Sequence, residues 1–139
     1  MKKKDALKML ATMLAGLNLH PLFLKELKAL LEKELRGKES EFFSILSAQL
    51  LHIKQFGPLI YTIDSNEKLK GLDKQYYSIH LQRSQFNVRM LIYIKSDGSP
   101  FFLCAFYERA GKKQTSYQKY LDALECRLNE MLGDETNEC

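Results

Sequence analysis

Residues 87–107, NVRMLIYIKSDGSPFFLCAFY, decide the architecture of this chain. Two β-rich apolar runs, 87–94 and 101–107, flank KSDGSP, whose Asp97-Gly98 is a hairpin signal. So short a link forces the two strands to run antiparallel. In the first run Asn87, Arg89, Leu91 and Tyr93 alternate with Val88, Met90, Ile92 and Ile94. A strand sends such alternating sets to opposite faces. The second set suits packing beneath helices, which places Arg89 on the other, open face.

Working upstream, Tyr77, Ile79 and Leu81 alternate with Ser78, His80 and Gln82, the pattern of a half-buried strand. The same parity puts His80 and Gln82 on the face of Arg89. Leu59 to Ile63 is a short β-rich run, closed by the polar loop DSNEKLKGLDK. Before it the period is helical. Leu7, Leu10, Leu14 and Leu17 recur at helix spacing until Asn18 and Pro21 interrupt them. Leu24, Leu27, Leu30, Leu31 and Leu35 form a stripe in a second helix over 21–36, with Gly37 as its stop. Ser40 is the expected cap of a third helix, whose Phe43, Leu46, Leu50 and Ile53 face the core and which Gly57-Pro58 ends.

Downstream, Thr115-x-x-Gln118 and Ser116 offer capping-box chemistry to a last helix with Leu121, Leu124, Leu128 and Met131 on one face. Gly133 closes it, and GDETNEC reads as a polar tail. The expected fold is α+β: N-terminal helices packed on a small antiparallel sheet of about three to four strands, with a C-terminal helix. The expected organisation is an added helix over 1–20, one domain over 21–132 and a tail over 133–139.

Composition narrows the function classes. At 139 residues with 45% apolar and 27% charged residues, the chain can bury one core without metals or disulfides. No apolar run approaches the ~20 residues of a membrane helix. MKKKDALKMLATMLAGL has the outline of a signal peptide, but Asp5 and Lys8 break its apolar stretch, so a cytoplasmic protein is expected. Cys104, Cys126 and Cys139 are widely spaced and near no histidine, the usage of spare thiols rather than of zinc or a disulfide framework. Walker, Rossmann, HExxH and GxSxG patterns are absent, so neither a metal nor a cofactor is expected.

Charge is unevenly placed. Residues 76–119 hold seven basic against two acidic side chains, and residues 120–139 hold one against six. A local +5 that exceeds the net +4 of the whole chain is the footprint of a surface for polyanions. Within this stretch the informative group is His80, Arg83, Arg89, Arg109, Lys112 and Lys113, interleaved with Tyr76, Tyr107 and Tyr117. Arginine forks match phosphate geometry, and tyrosine or histidine stacks on unpaired bases. Such a surface can grip single-stranded RNA. It can also cleave it, if a ribose 2′-OH attacks the adjacent phosphate, cations stabilise the charge, and His80 or Tyr117 moves protons.

The order of KLKGLDKQYYSIHL (68–81), NVRMLIYI (87–94) and FFLCAFYERAGKKQTSYQKYLDAL (101–124), behind FLKELKALLEKEL and LLHIKQFGP, resembles the RelE/ParE superfamily of toxins from type II toxin–antitoxin systems. The likeness is to its HigB-like, phage-derived branch and covers residues 22–132. It implies a RelE-like fold and a small basic endoribonuclease that cuts mRNA in the ribosome and is neutralised by a cognate antitoxin. By the same resemblance Arg89 matches the strand arginine at the scissile phosphate, and Arg109, Lys112 and Lys113 match the basic loop after the last strand. Tyr117 takes the place of a tyrosine near the last helix, and His80 stands where relatives have an arginine. These give Arg89, Arg109, Tyr117 and His80 as catalytic candidates and Arg83, Lys112, Lys113 and Tyr76 as RNA contacts. The strand that commonly begins these proteins is not evident in the sequence.

Two other classes fit the same residues. One is a ParE-like gyrase inhibitor that cleaves nothing. The other is an inactive binding domain whose Leu7, Leu10, Leu14 and Leu17 stripe pairs two copies, although packing of that stripe on its own core is favoured.

Overall fold

The computed structural model describes residues 1–70, 73–109 and 116–133. The elements run α1 (Lys3–Leu14), β1 (Asn18–Leu19), α2 (Pro21–Glu32), α3 (Glu39–Phe56), a 3-10 turn (Gly57–Thr62), β2 (Glu67–Lys68), β3 (Tyr76–Arg83), β4 (Phe86–Ile94), β5 (Pro100–Tyr107), a second 3-10 turn (Gln118–Tyr120) and α4 (Leu121–Leu132). The class is α+β, as expected. The sheet has five strands rather than three to four, in the order β1-β5-β4-β3-β2, and it is mixed because β1 runs parallel to β5.

The β4–β5 hairpin turns at Gly98, whose φ of +89° is a conformation that favours glycine. Asp97 accepts from the Ser99 backbone N–H at 2.9 Å and secures the turn. The sides of β4 follow the alternating pattern. Val88, Met90, Ile92 and Ile94 join Leu10, Leu14, Phe23, Leu27 and Leu46 in the larger core beneath α1, α2 and α3. Leu91 and Tyr93 lie on the other side of the sheet, and that side is not open. Leu124 and Leu128 of α4 close it, with Leu69, Tyr76, Phe101, Leu103 and Cys104 in a second core. The molecule is therefore helix, sheet, helix in three layers. A bulge between Leu91 and Ile92 turns both Leu103 and Cys104 toward α4.

Other local expectations are corrected. Residues 59–62 form part of a 3-10 turn, not a strand, because Gly57 (φ +51°) and Pro58 start a tight turn directly at the end of α3. The loop after it contains β2, paired to β3 through Glu67–Ser78 and Lys68–Tyr77. A strand at Asn18–Leu19 occupies what was read as the end of the first helix, and His20 N–H donates to Phe102 carbonyl at 3.0 Å beside it. Ser40 does not cap α3, which begins one residue earlier at Glu39 without a side-chain cap. Likewise α4 starts at Leu121 behind Tyr120 with no side-chain cap, and Thr115 lies outside the described residues. Strand β3 is buried on both sides from Tyr76 to Leu81, not half-buried.

Helix α1 spends its stripe internally: Ala6, Leu10 and Leu14 are buried against the helical layer, which leaves little of the stripe for a second copy. Cys104 is a buried free thiol, whereas Cys126 is disulfide-bonded and not spare. Among the described residues no helix is long and apolar enough to cross a membrane.

Candidate functional site

The pairing of β3 with β4 sets His80 directly opposite Arg89 and Ser78 opposite Leu91. Both His80 and Arg89 point toward the α4 side, where the parity argument puts them, but there they are enclosed. Arg89 is 7% exposed and His80 6%. The cover is the segment entering α4: Phe106 of β5 stacks on Tyr120 at 4.2 Å and meets Tyr117 edge-on at 6.5 Å. Tyr117 is thereby laid over the sheet with its hydroxyl against Arg89.

A connected polar cluster results. Arg89 Nη1 donates to His80 Nε2 at 2.8 Å and to Tyr117 Oη at 3.1 Å, and its Nε donates to Asn87 Oδ1 at 3.1 Å. Tyr117 Oη donates to the Glu67 carboxylate. Ser78 Oγ lies 2.8 Å from the same phenol oxygen. A phenol has one proton, so with that proton given to Glu67 the Ser78 hydroxyl is the donor in its contact. Glu67 Oε2 also stands 3.5 Å from His80 Nε2.

The protonation states follow. A guanidinium only donates, so His80 Nε2 accepts and the imidazole proton sits on Nδ1, a buried atom with no partner among the described residues. Burial lowers the His80 pKa, the Arg89 cation adds to this, and Glu67 opposes it. Burial, reinforced by the Glu67 bond, pushes the Tyr117 phenol up to about 12. At neutral pH the cluster holds one cation, one neutral imidazole with an in-plane lone pair, one protonated phenol and one carboxylate at its edge.

Arg89 is the unusual member. No carboxylate among the described residues comes within 4.0 Å of its guanidinium nitrogens. Buried cations are ordinarily paired, because an unpaired charge loses its hydration without recompense. Among the described residues its hydrogen-bond partners are neutral acceptors, and Glu67 reaches it through the Tyr117 hydroxyl.

A second polar network braces the site from behind. Asn66 Oδ1 accepts the His80 backbone N–H at 2.8 Å, its amide donates to Gln49 at 3.0 Å, and Gln49 donates to Asp64 at 2.9 Å. Asp64 adopts φ +52°, a non-glycine residue in the left-handed region. This network ties the edge of β3 to α3.

The other expected residues are scattered. Arg109 pairs with Glu34, at the end of the α2 turn, and lies 4.9 Å above the Tyr107 ring. Tyr107 packs on the α1–α3 side, so Arg109 is turned to the face opposite Arg89. Tyr76 is 1% exposed and packs against Tyr93 at 5.9 Å, which makes it a core residue and not a surface for bases. Arg83 is exposed and lines a cleft of about 330 Å³ with His80, Gln82, Gln49 and Asp64. Lys112 and Lys113 lie outside the described residues. The structure thus brings His80, Arg89 and Tyr117 together and separates Arg109 and Tyr76 from them.

Glu67, Ser78, Asn87, Asn66 and Gln49 were not anticipated. Ser78 and Asn87 share the parity of His80 and Arg89, so the strand pattern contained them. Glu67, Asn66 and Gln49 are brought in by long-range contacts that no local period encodes. Among the described residues no group of three or more His, Cys, Asp or Glu side chains is arranged to hold a metal ion. In comparisons with known proteins, the chain matches no family model, no curated protein and no solved structure.

Proposed function

We propose that this chain is a toxin of the RelE/ParE kind from a type II toxin–antitoxin module, an endoribonuclease whose reaction centre is the His80–Arg89–Tyr117 cluster. The observation that carries the reading is Arg89: a guanidinium 7% exposed, held by His80, Tyr117 and Asn87, and paired with no carboxylate among the described residues. A cation maintained in that state is preorganised for an anion, and phosphate fits the guanidinium fork. The element order adds support. A short strand precedes the paired helices α2 and α3, four antiparallel strands (β2 to β5) follow, and α4 is the last described element.

The proposed chemistry needs no metal. His80 Nε2, released from Arg89, takes the proton of a ribose 2′-OH, and that oxygen attacks the adjacent phosphorus. Arg89 stabilises the charge on the phosphoryl oxygens. The P–O5′ bond breaks with a proton from Tyr117, leaving a 2′,3′-cyclic phosphate and a free 5′-hydroxyl. The mRNA on the ribosome is the proposed substrate, and a cognate antitoxin the proposed partner.

A second reading, a non-cleaving member of the same fold that binds gyrase or another partner, is favoured by the enclosure of the cluster and by the Arg109–Glu34 pair on the far face. One experiment separates the two: inducible expression in bacteria with total mRNA mapped for new 5′ ends within minutes. Cuts inside translated frames that disappear in Arg89→Ala support the nuclease. Growth arrest with DNA damage and intact mRNA supports the gyrase inhibitor, and normal growth with soluble folded protein refutes the toxin reading.

A further inference from the structure

A groove of about 520 Å³ opens beside the cluster, between β2 and the segment entering α4. Glu67, Lys70, Ser116, Tyr117 and Gln118 line it, and two of these belong to the cluster itself. The groove therefore ends at Tyr117, whose hydroxyl touches Arg89. Glu67 sits at the boundary, with 38% of its side chain exposed against 7% for His80. One carboxylate oxygen is held by the Tyr117 hydroxyl and lies 3.5 Å from His80. Its backbone belongs to β2, the two-residue outermost strand of the sheet, bonded only to β3. Short edge strands are the least firmly held part of a sheet.

We infer that this groove is the binding site for a phosphodiester of single-stranded RNA, and that the Glu67 carboxylate occupies the position the phosphate takes. The inference rests on the reading of the cluster as an RNA site. A carboxylate and a phosphate present oxygens to the same donors, here the Tyr117 hydroxyl and, once the phosphate replaces the carboxylate, the Arg89 fork. Two such anions repel at this distance, so the phosphate enters as Glu67 swings out of the groove toward solvent. Lys70 stands in the same groove and supplies a cation to the arriving strand. The enclosure of Arg89 then has a cause within the chain. The free protein covers its cation with its own anion, bridged by one phenol.

The test is binding of a fluorescein-labelled hexanucleotide RNA with 2′-O-methyl riboses, which cannot be cut, followed by anisotropy at low salt on the full chain. Glu67→Gln keeps a carbonyl oxygen to accept the Tyr117 proton, and Glu67→Ala removes the group altogether. Glu41→Gln, at an exposed position of α3, controls for loss of one negative charge. Expected is about tenfold tighter binding by both Glu67 variants, less than about twofold change in Glu41→Gln, and at least about tenfold loss in Arg89→Gln. Glu67 variants that behave like Glu41→Gln, while Arg89→Gln loses binding, overturn this inference and leave the RNA reading standing. Absence of binding by every variant, or binding by Arg89→Gln equal to wild type, overturns both. Circular dichroism of each variant confirms that folded protein is compared.

Discussion

Nη1 of Arg89 lies 2.8 Å from Nε2 of His80, across directly paired positions of β3 and β4. The contact fixes His80 as an acceptor, and therefore as neutral, in the folded protein. In the unfolded chain the imidazole recovers an ordinary affinity for protons, near 6.5. The unfolded state then binds more protons over the interval from 6.5 down to the lowered native value. Stability is fully present above 6.5 and is lost as pH falls through that interval. Urea midpoints of the wild type are expected to decline across it, and His80→Gln to decline less steeply. Equal slopes for the two proteins would show that the imidazole is not held neutral.

Arg89→Met is expected to separate stability from function. Replacing a buried unpaired cation by an apolar chain of similar length removes a desolvated charge, so unfolding free energy should be unchanged or raised by about 1 kcal/mol. RNA binding and any growth arrest should be lost. A loss of more than about 2 kcal/mol in urea denaturation would mean that the bonds to His80, Tyr117 and Asn87 outweigh the desolvation.

The reverse is expected at Arg127. Its two terminal nitrogens meet both oxygens of Glu26 at 2.9 and 3.0 Å, and Nη1 also donates to Leu103 carbonyl at 2.7 Å. Glu26 in turn accepts the Ala105 N–H at 3.0 Å, so α2, β5 and α4 meet at one ion pair. Arg127→Ala should cost about 2–4 kcal/mol, and Glu26→Gln less because an amide oxygen still serves Ala105. Thermal denaturation of the two variants reads the difference.

Phe102 of β5 is fully buried, with its ring 5.5 Å from Phe23. Phe102→Ala should cost about 3–5 kcal/mol, whereas Leu22→Ala, beside Phe23 on α2, should change stability by less than about 0.5 kcal/mol. Leu22 is 44% exposed. Comparable losses at both sites would contradict the placement of the larger core.

The central hairpin was legible because Val88, Met90, Ile92 and Ile94 alternate with their neighbours and Asp97-Gly98 has one dominant use. That parity also predicted the company of His80 and Arg89. The enclosure of their face was not read from it. FFLCAFY carries the signal, since an unbroken apolar run marks a strand covered on both sides. β1 and β2 have two residues each, too few for any period to appear. Glu67 was thus assigned to a loop. Arg109 follows β5 in sequence and was placed with Arg89, yet Tyr107 turns the chain toward the other layer, where Glu34 meets it.

The parallel pairing of β1 with β5 also sets a timetable. Asn18 bonds the Pro100 carbonyl and His20 the Phe102 carbonyl, so edge strand β1 waits during synthesis for a partner 82 residues further along. Three helices leave the ribosome before any long strand exists to receive their apolar sides. The nascent chain gains its native partners only when the hairpin emerges. A chain halted before the end of β5 therefore carries an exposed helical layer, and the second core waits further for α4.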